Sequence, residues 1–237
     1  QAWYDLKEMA LTVELGPLTQ SEISFSGKGL VQRKPQWLNN ETLLTFSLGY
    51  NKKRGFEKIT LGGQKRQVST NQITDDAVFQ LSAPRNEILY SRYVENSISA
   101  VAKTSYSYVL DLKTGKESRI GPSIHSYNPV RLPSGQILAL KNDGQYNSIV
   151  ELSDHLAPRV LLSYPNSAFV ALIPRPRSDS LAVILNIKGK QAVYLVDTAV
   201  ELFELKPWIG FEHGIIYDGS FSANGDYFSF TSDASGL

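Results

Sequence analysis

The chain of 237 residues contains no cysteine, one methionine and three histidines. Without cysteine it has neither disulfides nor thiolate metal sites, which excludes the small secreted scaffolds that disulfides hold together. Its net charge is only +1, so charge gives no reason to expect binding to nucleic acid or to a membrane surface. No apolar run approaches the roughly 20 residues of a membrane-spanning helix, so we expect no membrane insertion.

Motifs for catalysis and cofactor binding are also missing. His125, His155 and His213 fall in or near turns, without H-E-x-x-H or any pairing at metal-ligand spacing. No G-x-S-x-G elbow is present, and Gly27-Lys28-Gly29 lacks the third glycine and the helix of a dinucleotide fingerprint. We therefore predict no catalytic residues, no cofactor and no metal site, and hence no enzymatic activity for this chain.

The chain instead contains a repeat of 43 to 50 residues. Each copy has a first position, then a turn rich in Pro, Asn, Gly, Ser or Asp, then an apolar anchor nine residues after the first position. The first positions are Trp37, Leu81, Arg131, Pro174 and Phe221. The anchors are Phe46, Tyr90, Leu140, Val183 and Phe230.

Further short strands follow each anchor. In the second copy, apolar residues at 106–112 precede a glycine turn at 113–116 and a strand at 117–120. Four short strands in a unit of this length are typical of a propeller blade, whereas a β-sandwich would not repeat over so long a period. We predict an all-β propeller of four-stranded antiparallel blades, with most tyrosines and other aromatic residues in the blade cores.

Several segments resemble the P-x-W-S-P-D-G repeat of TolB-like (WD-repeat-like) β-propellers. These are 35–40 (PQWLNN), 221–226 (FSANGD) and the pair Ser82 and Pro84, while 108–115 (YVLDLKTG) resembles the next strand and turn of such a blade. The resemblance covers about residues 28–237. The third and fourth copies lack the aromatic first residue, which leaves their blade boundaries the least defined.

We divide the chain into residues 1–27, an N-terminal helix and linker or closing strand, and residues 28–237, the propeller. The approximate repeats are 28–70, 71–121, 122–163, 164–206 and 207–237. Apolar residues at 2, 3, 6, 9 and 10 have helical spacing, and Gly16-Pro17 ends the pattern. A helix before such a propeller resembles the junction with a zinc-metallopeptidase-like domain in large bacterial proteins, but it equally fits a simple cap.

The last copy contains only the start of a blade, so about four and a half blades are predicted and the propeller is incomplete. We expect a fragment whose missing strands come from further residues of the protein or from another polypeptide. Residues 12–15 or 22–25 alternate apolar and polar side chains, and are candidates for the strand that closes the last blade.

The resemblance implies a non-catalytic recognition or scaffolding domain of a bacterial exported protein, in the periplasm or at the cell surface, with a protein or peptide partner. The alternative is the gating domain of a serine (prolyl oligopeptidase-type) or zinc peptidase whose catalytic domain lies outside this chain. The connection at 91–104 is longer than those at 142–147 and 186–190. We identify it as a candidate binding loop, or else a tolerated insertion. Its candidate binding residues are Arg92, Tyr93, Glu95 and Asn96.

Overall fold

The computed structural model describes residues 30–50, 52–70, 78–96, 99–121, 125–153, 157–198, 205–210 and 214–233, with backbone only at 95–96, 99–103, 206 and 210. The described residues form eighteen β-strands and one short 3₁₀ helix, Ala83–Arg85, and none of them lies in an α-helix. The helix and closing strand predicted within residues 1–27 lie outside the described residues.

The strands form four antiparallel four-stranded sheets and a two-stranded sheet, each in sequence order. Blade 1 contains β1 (Leu30–Asn39), β2 (Thr42–Gly49), β3 (Lys52–Thr60) and β4 (Lys65–Gln67). Blade 2 contains β5 (Phe79–Ser82), β6 (Glu87–Asn96), β7 (Ser99–Asp111) and β8 (Glu117–Arg119). Blade 3 contains β9 (Tyr127–Arg131), β10 (Ile137–Asn142), β11 (Tyr146–Leu152) and β12 (Arg159–Pro165). Blade 4 contains β13 (Ser167–Pro174), β14 (Ser180–Ile187), β15 (Lys190–Asp197) and β16 (Lys206–Gly210). The fifth sheet contains β17 (Ile216–Phe221) and β18 (Phe228–Ser232).

This arrangement confirms the predicted β-propeller and the register of its repeat. Every first position lies in the first strand of its sheet, and every anchor lies in the second strand. The four anchors in blades 1 to 4 are buried, and Phe230 in the fifth sheet is half-buried. The outer strand of blade 4 is described from Lys206 to Gly210. Its residues Trp208 and Ile209 pack on apolar side chains of the fifth sheet, which fixes this register.

Apolar side chains between the sheets hold the blades together. Between blades 1 and 2 the core is aromatic, since the ring of Phe56 lies 5.3 Å from Phe46, 5.1 Å from Phe79 and 5.4 Å from Tyr90. Between blades 3 and 4 the core is mostly aliphatic. Each such side chain contributes about 1.5–3 kcal/mol on burial, so interfaces between blades provide most of the stability of the fold.

Two glutamines also join the first strands of neighbouring blades. Gln36 donates to the carbonyl of Phe79 (3.4 Å) and accepts from the amide of Leu81 (3.1 Å). Gln80, at the same place in the next repeat, donates to the carbonyl of Arg131 (3.0 Å) and accepts from its amide (2.6 Å). Each side chain therefore pairs with a backbone as a neighbouring strand would.

An ion pair connects the first and last sheets. The ammonium of Lys34 in β1 lies 3.7 Å from the carboxylate of Asp218 in β17. Blade 1 and the fifth sheet therefore meet through their first strands, which are the strands nearest the propeller axis.

Candidate functional site

The candidate binding loop at 91–104 is not a loop but a long β-hairpin, which corrects the prediction. Strands β6 and β7 pair continuously from Glu87↔Asp111 to Glu95↔Lys103. The sequence between Glu87 and Asp111 contains neither glycine nor proline, so nothing interrupts the ladder. The absence of glycine and proline indicates a paired hairpin. The second strand reaches 13 residues, against 7 for β11 and 8 for β15 at the equivalent place.

The four candidate residues all lie in β6 and do not form one constellation. Arg92 and Tyr93 are consecutive strand residues, so their side chains point to opposite sides of blade 2. Arg92 lies on the side that packs on blade 1, while Tyr93 shares its side with Leu89, which packs towards blade 3. The side chains of Glu95 and Asn96 lie outside the described residues.

Arg92 is held at the base of the hairpin. Its Nη1 lies 3.0 Å from Oε1 of Glu117, and its guanidinium carbon lies 4.5 Å from the ring centre of Tyr108. Tyr90 donates a hydrogen bond from its hydroxyl to the same Glu117 carboxylate. Burial acts to lower the pKa of Arg92, but the hydrogen bond to Tyr108 and the charge of Glu117 outweigh it and raise the pKa. These contacts therefore hold the positive charge of Arg92 in one position.

A second carboxylate fixes a lysine on blade 1. Glu57 is buried and accepts hydrogen bonds from Ser47 Oγ (2.7 Å), Lys52 Nζ (2.6 Å) and Gln32 Nε2 (3.2 Å). Burial acts to raise the pKa of Glu57, but these donors, Lys52 foremost, hold it below its ordinary value. Lys52 therefore has a defined position beside the turn between β2 and β3.

The long hairpin belongs to one end of the propeller, here called the hairpin face. It is formed by the turns between the second and third strands of the blades and by the connections between sheets, because strands alternate in direction within each blade. The opposite face is formed by the turns between first and second strands and those between third and fourth strands.

Tyrosine is concentrated on the hairpin face. Among the described residues, five tyrosines are exposed, and four of them lie at this end of the propeller, in blades 1, 2, 3 and the fifth sheet. They are Tyr50 (99%), Tyr93 (54%), Tyr146 (44%) and Tyr217 (61%). The prediction that most tyrosines lie in blade cores holds for the buried Tyr90 and Tyr108 and for four that pack against the cores, but not for these four exposed ones. The four that pack against the cores are Tyr106, Tyr127, Tyr164 and Tyr194.

Positive charge is concentrated there as well. The four turn segments 48–54, 91–104, 141–147 and 186–191 contain eight lysines and arginines but two acids. The cations are Lys52, Lys53, Arg54, Arg92, Lys103, Lys141, Lys188 and Lys190, and the acids are Glu95 and Asp143. Among the described residues at the remaining connections of this face, Arg119 adds a cation and Asp233, directly after β18, adds an acid, so the described part of the face is positive.

On the opposite face, charge is balanced in the turns between first and second strands. Its turns between first and second strands, 39–42, 82–87, 131–137, 174–180 and 221–228, contain four arginines and four acids. Two of these turns are also hydrogen-bonded to their neighbours across blades. The amide of Ser134 donates to Asp179 (2.8 Å), and Nε of Arg175 donates to the carbonyl of Gly225 (2.7 Å).

Residues with catalytic or ligand chemistry remain dispersed within the described part of the chain. His125 is exposed, with its ring 5.3 Å from that of Tyr106, while His155 and His213 lie outside the described residues. No group of three or more His, Asp or Glu side chains comes together in the described ranges. Nor do those ranges include a helix long and apolar enough to span a membrane.

No protein-family model matches the chain, and no curated protein matches it. Similar solved structures include a chain of the nidogen/laminin complex, with 11% identity and a TM-score of 0.58 over 81% of this chain and 68% of that chain. The β-propeller domain of the trilobed protease from Pyrococcus furiosus is 14% identical with a TM-score of 0.57, over 86% and 62% respectively.

TolB from Acinetobacter baumannii is 12% identical with a TM-score of 0.53, and the match covers 72% of this chain and 41% of TolB. The chain thus spans less than two thirds of TolB and of the trilobed protease propeller. At these identities the similarity establishes the fold alone. The chain has the β-propeller fold, and its structural neighbours include TolB and the propeller domains of peptidases.

Proposed function

We propose that this chain is a non-catalytic β-propeller that recognises a protein or peptide partner through its hairpin face. The observation that carries the proposal is the placement of four of the five exposed tyrosines on that face. Tyrosine provides a large, amphipathic contact surface at low cost in conformational entropy, and it is enriched in protein interfaces and their hot spots.

The scaffold beneath these tyrosines is suited to binding. The backbone of Tyr93 pairs with that of Ser105 across the hairpin, and the neighbouring Arg92 is held by Glu117 and Tyr108. Side chains presented from such fixed positions lose little freedom when a partner binds, and preorganisation of this kind improves affinity. The hairpin therefore holds its exposed residues in defined positions.

The proposal places the domain in a bacterial exported protein, in the periplasm or at the cell surface, by analogy with the TolB-like repeat pattern. The fold does not itself define the function. One of the similar structures comes from a complex of two proteins, nidogen and laminin, which fits a recognition role for a propeller of this shape.

Photo-crosslinking from defined positions tests the proposal. We expect a photoreactive phenylalanine at position 93 or 146 to give discrete adducts in extracts of the cells that produce the protein. Position 227 is the matched control, because Tyr227 is an exposed tyrosine on the opposite face. Mass spectrometry of the adducts identifies the partner. Absence of adducts at 93 and 146, or identical adducts at 227, would refute recognition through the hairpin face.

The same proposal includes the absence of hydrolytic turnover. In support, no motif in the sequence joins a nucleophile to a base, and in the described ranges the histidines and acids stay dispersed. The purified chain is expected to leave peptide and ester substrate libraries uncleaved. Turnover that a single substitution in this chain abolishes would contradict it.

A second candidate function is the propeller of a serine or zinc peptidase. It is favoured by the likeness to the trilobed protease propeller, at a TM-score of 0.57. The sequence of the gene on both sides of this segment distinguishes the two. A G-x-S-x-G elbow downstream, or H-E-x-x-H upstream, would favour the peptidase, and then cross-links from the hairpin face should reach the catalytic domain or its substrates.

A further inference from the structure

We infer that the partner of the hairpin face presents an acidic polypeptide segment, with its carboxylates on the lysines and arginines of the turns and its apolar side chains on the exposed tyrosines. This inference rests on the proposed function and specifies the chemistry of its partner. The charges of that face, and the way each of them is already used, provide the argument.

Three of the turn cations are already neutralised within their own blades. Lys52 lies 2.6 Å from Glu57, Arg92 lies 3.0 Å from Glu117, and Lys141 lies 4.0 Å from Asp143. These pairs fix the positions of the cations and leave little net charge for a partner. Of the other described acids at this end, Asp233 accepts a hydrogen bond from the hydroxyl of Tyr217 (3.2 Å) and Asp218 pairs with Lys34 (3.7 Å).

Four other cations protrude. Lys53, Arg54, Lys188 and Lys190 are all exposed, and none of them takes part in an ion pair among the described residues. They belong to the turns of blade 1 and blade 4, so the uncompensated charge is spread over the face and not confined to one site. An extended segment with several carboxylates fits this spread better than one small anion does.

The tyrosines lie among these cations. Tyr50 precedes Lys53 and Arg54 at the same end of blade 1, and Tyr93 and Tyr146 are exposed on the same face in blades 2 and 3. Rings beside protruding cations favour a partner that alternates acidic with apolar residues, since each carboxylate meets a cation while the apolar groups cover the rings. A nucleic acid would also meet cations and rings, but it carries a charge at every phosphate and therefore needs a denser cationic surface than this face offers beside Asp143 and Asp233.

Charge reversal tests the inference. The probe is a short fluorescent peptide that alternates Glu with Ser around a central Phe, titrated by fluorescence anisotropy at low and high salt. Exposed pairs contribute little singly, so reversing two cations should weaken binding about tenfold. The variants are the double substitutions Lys53→Glu with Arg54→Glu, and Lys188→Glu with Lys190→Glu. We expect the affinity of the unmodified protein to fall as salt rises.

The matched control reverses Lys113 and Lys116 to Glu. These two exposed lysines occupy a turn on the opposite face and change the net charge by the same amount. Their reversal should alter the affinity less than twofold, as local and not overall charge is responsible. All the changed residues are exposed, and thermal melts will show that each variant remains folded.

Three outcomes would overturn the inference. One is equal loss in the control variant, and another is equal binding of a peptide with Gln in place of every Glu. The third is tighter binding of a single-stranded oligothymidine than of the acidic peptide at the same salt. If cross-links at position 93 persist while charge reversal changes nothing, the recognition role stands and the acidic partner is rejected. If the cross-links fail too, both are rejected.

Discussion

The two faces of this propeller differ in how neighbouring blades are joined. On the opposite face polar contacts cross from blade to blade, as when Arg131 of blade 3 lies 2.5 Å from the carboxylate of Glu87 in blade 2. On the hairpin face the ion pairs of the turn cations stay within one blade, as with Arg92 and Glu117. Hydrogen bonds also join neighbouring sheets on the hairpin face, from Asn147 to the carbonyl of Ser167 and from the amide of Ile216 to Gln191 (2.6 Å). The two faces therefore differ in whether their ion pairs cross between blades, and not in whether blades are joined.

With the recognition role proposed above, this difference predicts that stability and partner binding depend on different ends of the molecule. Contacts that cross between blades couple their folding, and removing one leaves a partly buried partner without its charge. Contacts within a blade keep a side chain in place without joining it to the next blade, so the turns of the hairpin face remain accessible. Substitutions at the two ends should consequently affect different measurements.

The largest effect on stability is expected at the pair of Glu87 and Arg131. Glu87→Gln removes the charge that faces a mostly buried guanidinium, and should lower the free energy of unfolding by about 3 kcal/mol. Glu41→Gln is the matched control, since Glu41 is an exposed glutamate in the equivalent turn region of blade 1. Urea denaturation measures both. Equal losses of unfolding free energy in the two variants would mean that the ion pair of Glu87 and Arg131 does not stabilise the junction between blades 2 and 3.

Glu57→Gln tests the fixed base of the hairpin face. It replaces a buried, charge-assisted acceptor and should cost about 2 kcal/mol at neutral pH. Because its pKa is lowered in the folded protein, Glu57 contributes stability above the pKa of the unfolded chain, about 4.3. That contribution is lost as the pH falls through the folded-state value. The unfolding energies of the two proteins should thus begin to approach each other as the pH falls below about 4.3, and a constant difference would contradict the lowered pKa.

Two glycines in turns give a closely matched comparison of the faces. Gly225 on the opposite face and Gly144 on the hairpin face have positive φ, +81° and +93°. Alanine costs about 1 kcal/mol at either site from backbone strain alone. At Gly225 its Cβ would also lie 2.8 Å from the carbonyl oxygen of Pro176, whereas nothing lies within 4 Å at Gly144. Gly225→Ala should therefore lower the free energy of unfolding by a further ~1 kcal/mol compared with Gly144→Ala, as thermal melts will measure. Equal losses of stability in the two variants would show that the turn at Gly225 is not packed against Pro176.

The repeat pattern was sufficient to predict the propeller and its register. Anchors such as Tyr90 and Leu140 are both apolar and regularly spaced, and burial of an apolar strand residue depends on the local pattern. The turns followed from glycine, proline and asparagine in the same way. Local sequence thus determines which strand a residue occupies, and most of the fold follows from that.

The site was less predictable because its contacts are distant in sequence. Arg131 and Glu87 are 44 residues apart, and nothing local pairs them. Tyr50 and Tyr90 are the same residue type, yet one is fully exposed and the other buried, because one lies in a turn and the other in a core strand. The length of the segment 91–104 alone indicates a loop, whereas the lack of glycine and proline in it indicates paired strands.

Tyr93→Ala should have the smallest effect on stability and a large one on recognition. The side chain is half exposed, and exposed substitutions usually change the free energy of unfolding by less than about 0.5 kcal/mol. If the ring is an anchor of the interface, its loss should weaken partner binding by about 2 kcal/mol, roughly thirtyfold. Tyr227→Ala removes a still more exposed ring from the opposite face and should leave binding unchanged. Titration with the cross-linked partner and thermal melts of both variants measure the two effects separately. A Tyr93 variant that unfolds more easily but binds normally would reverse the roles assigned to the two faces.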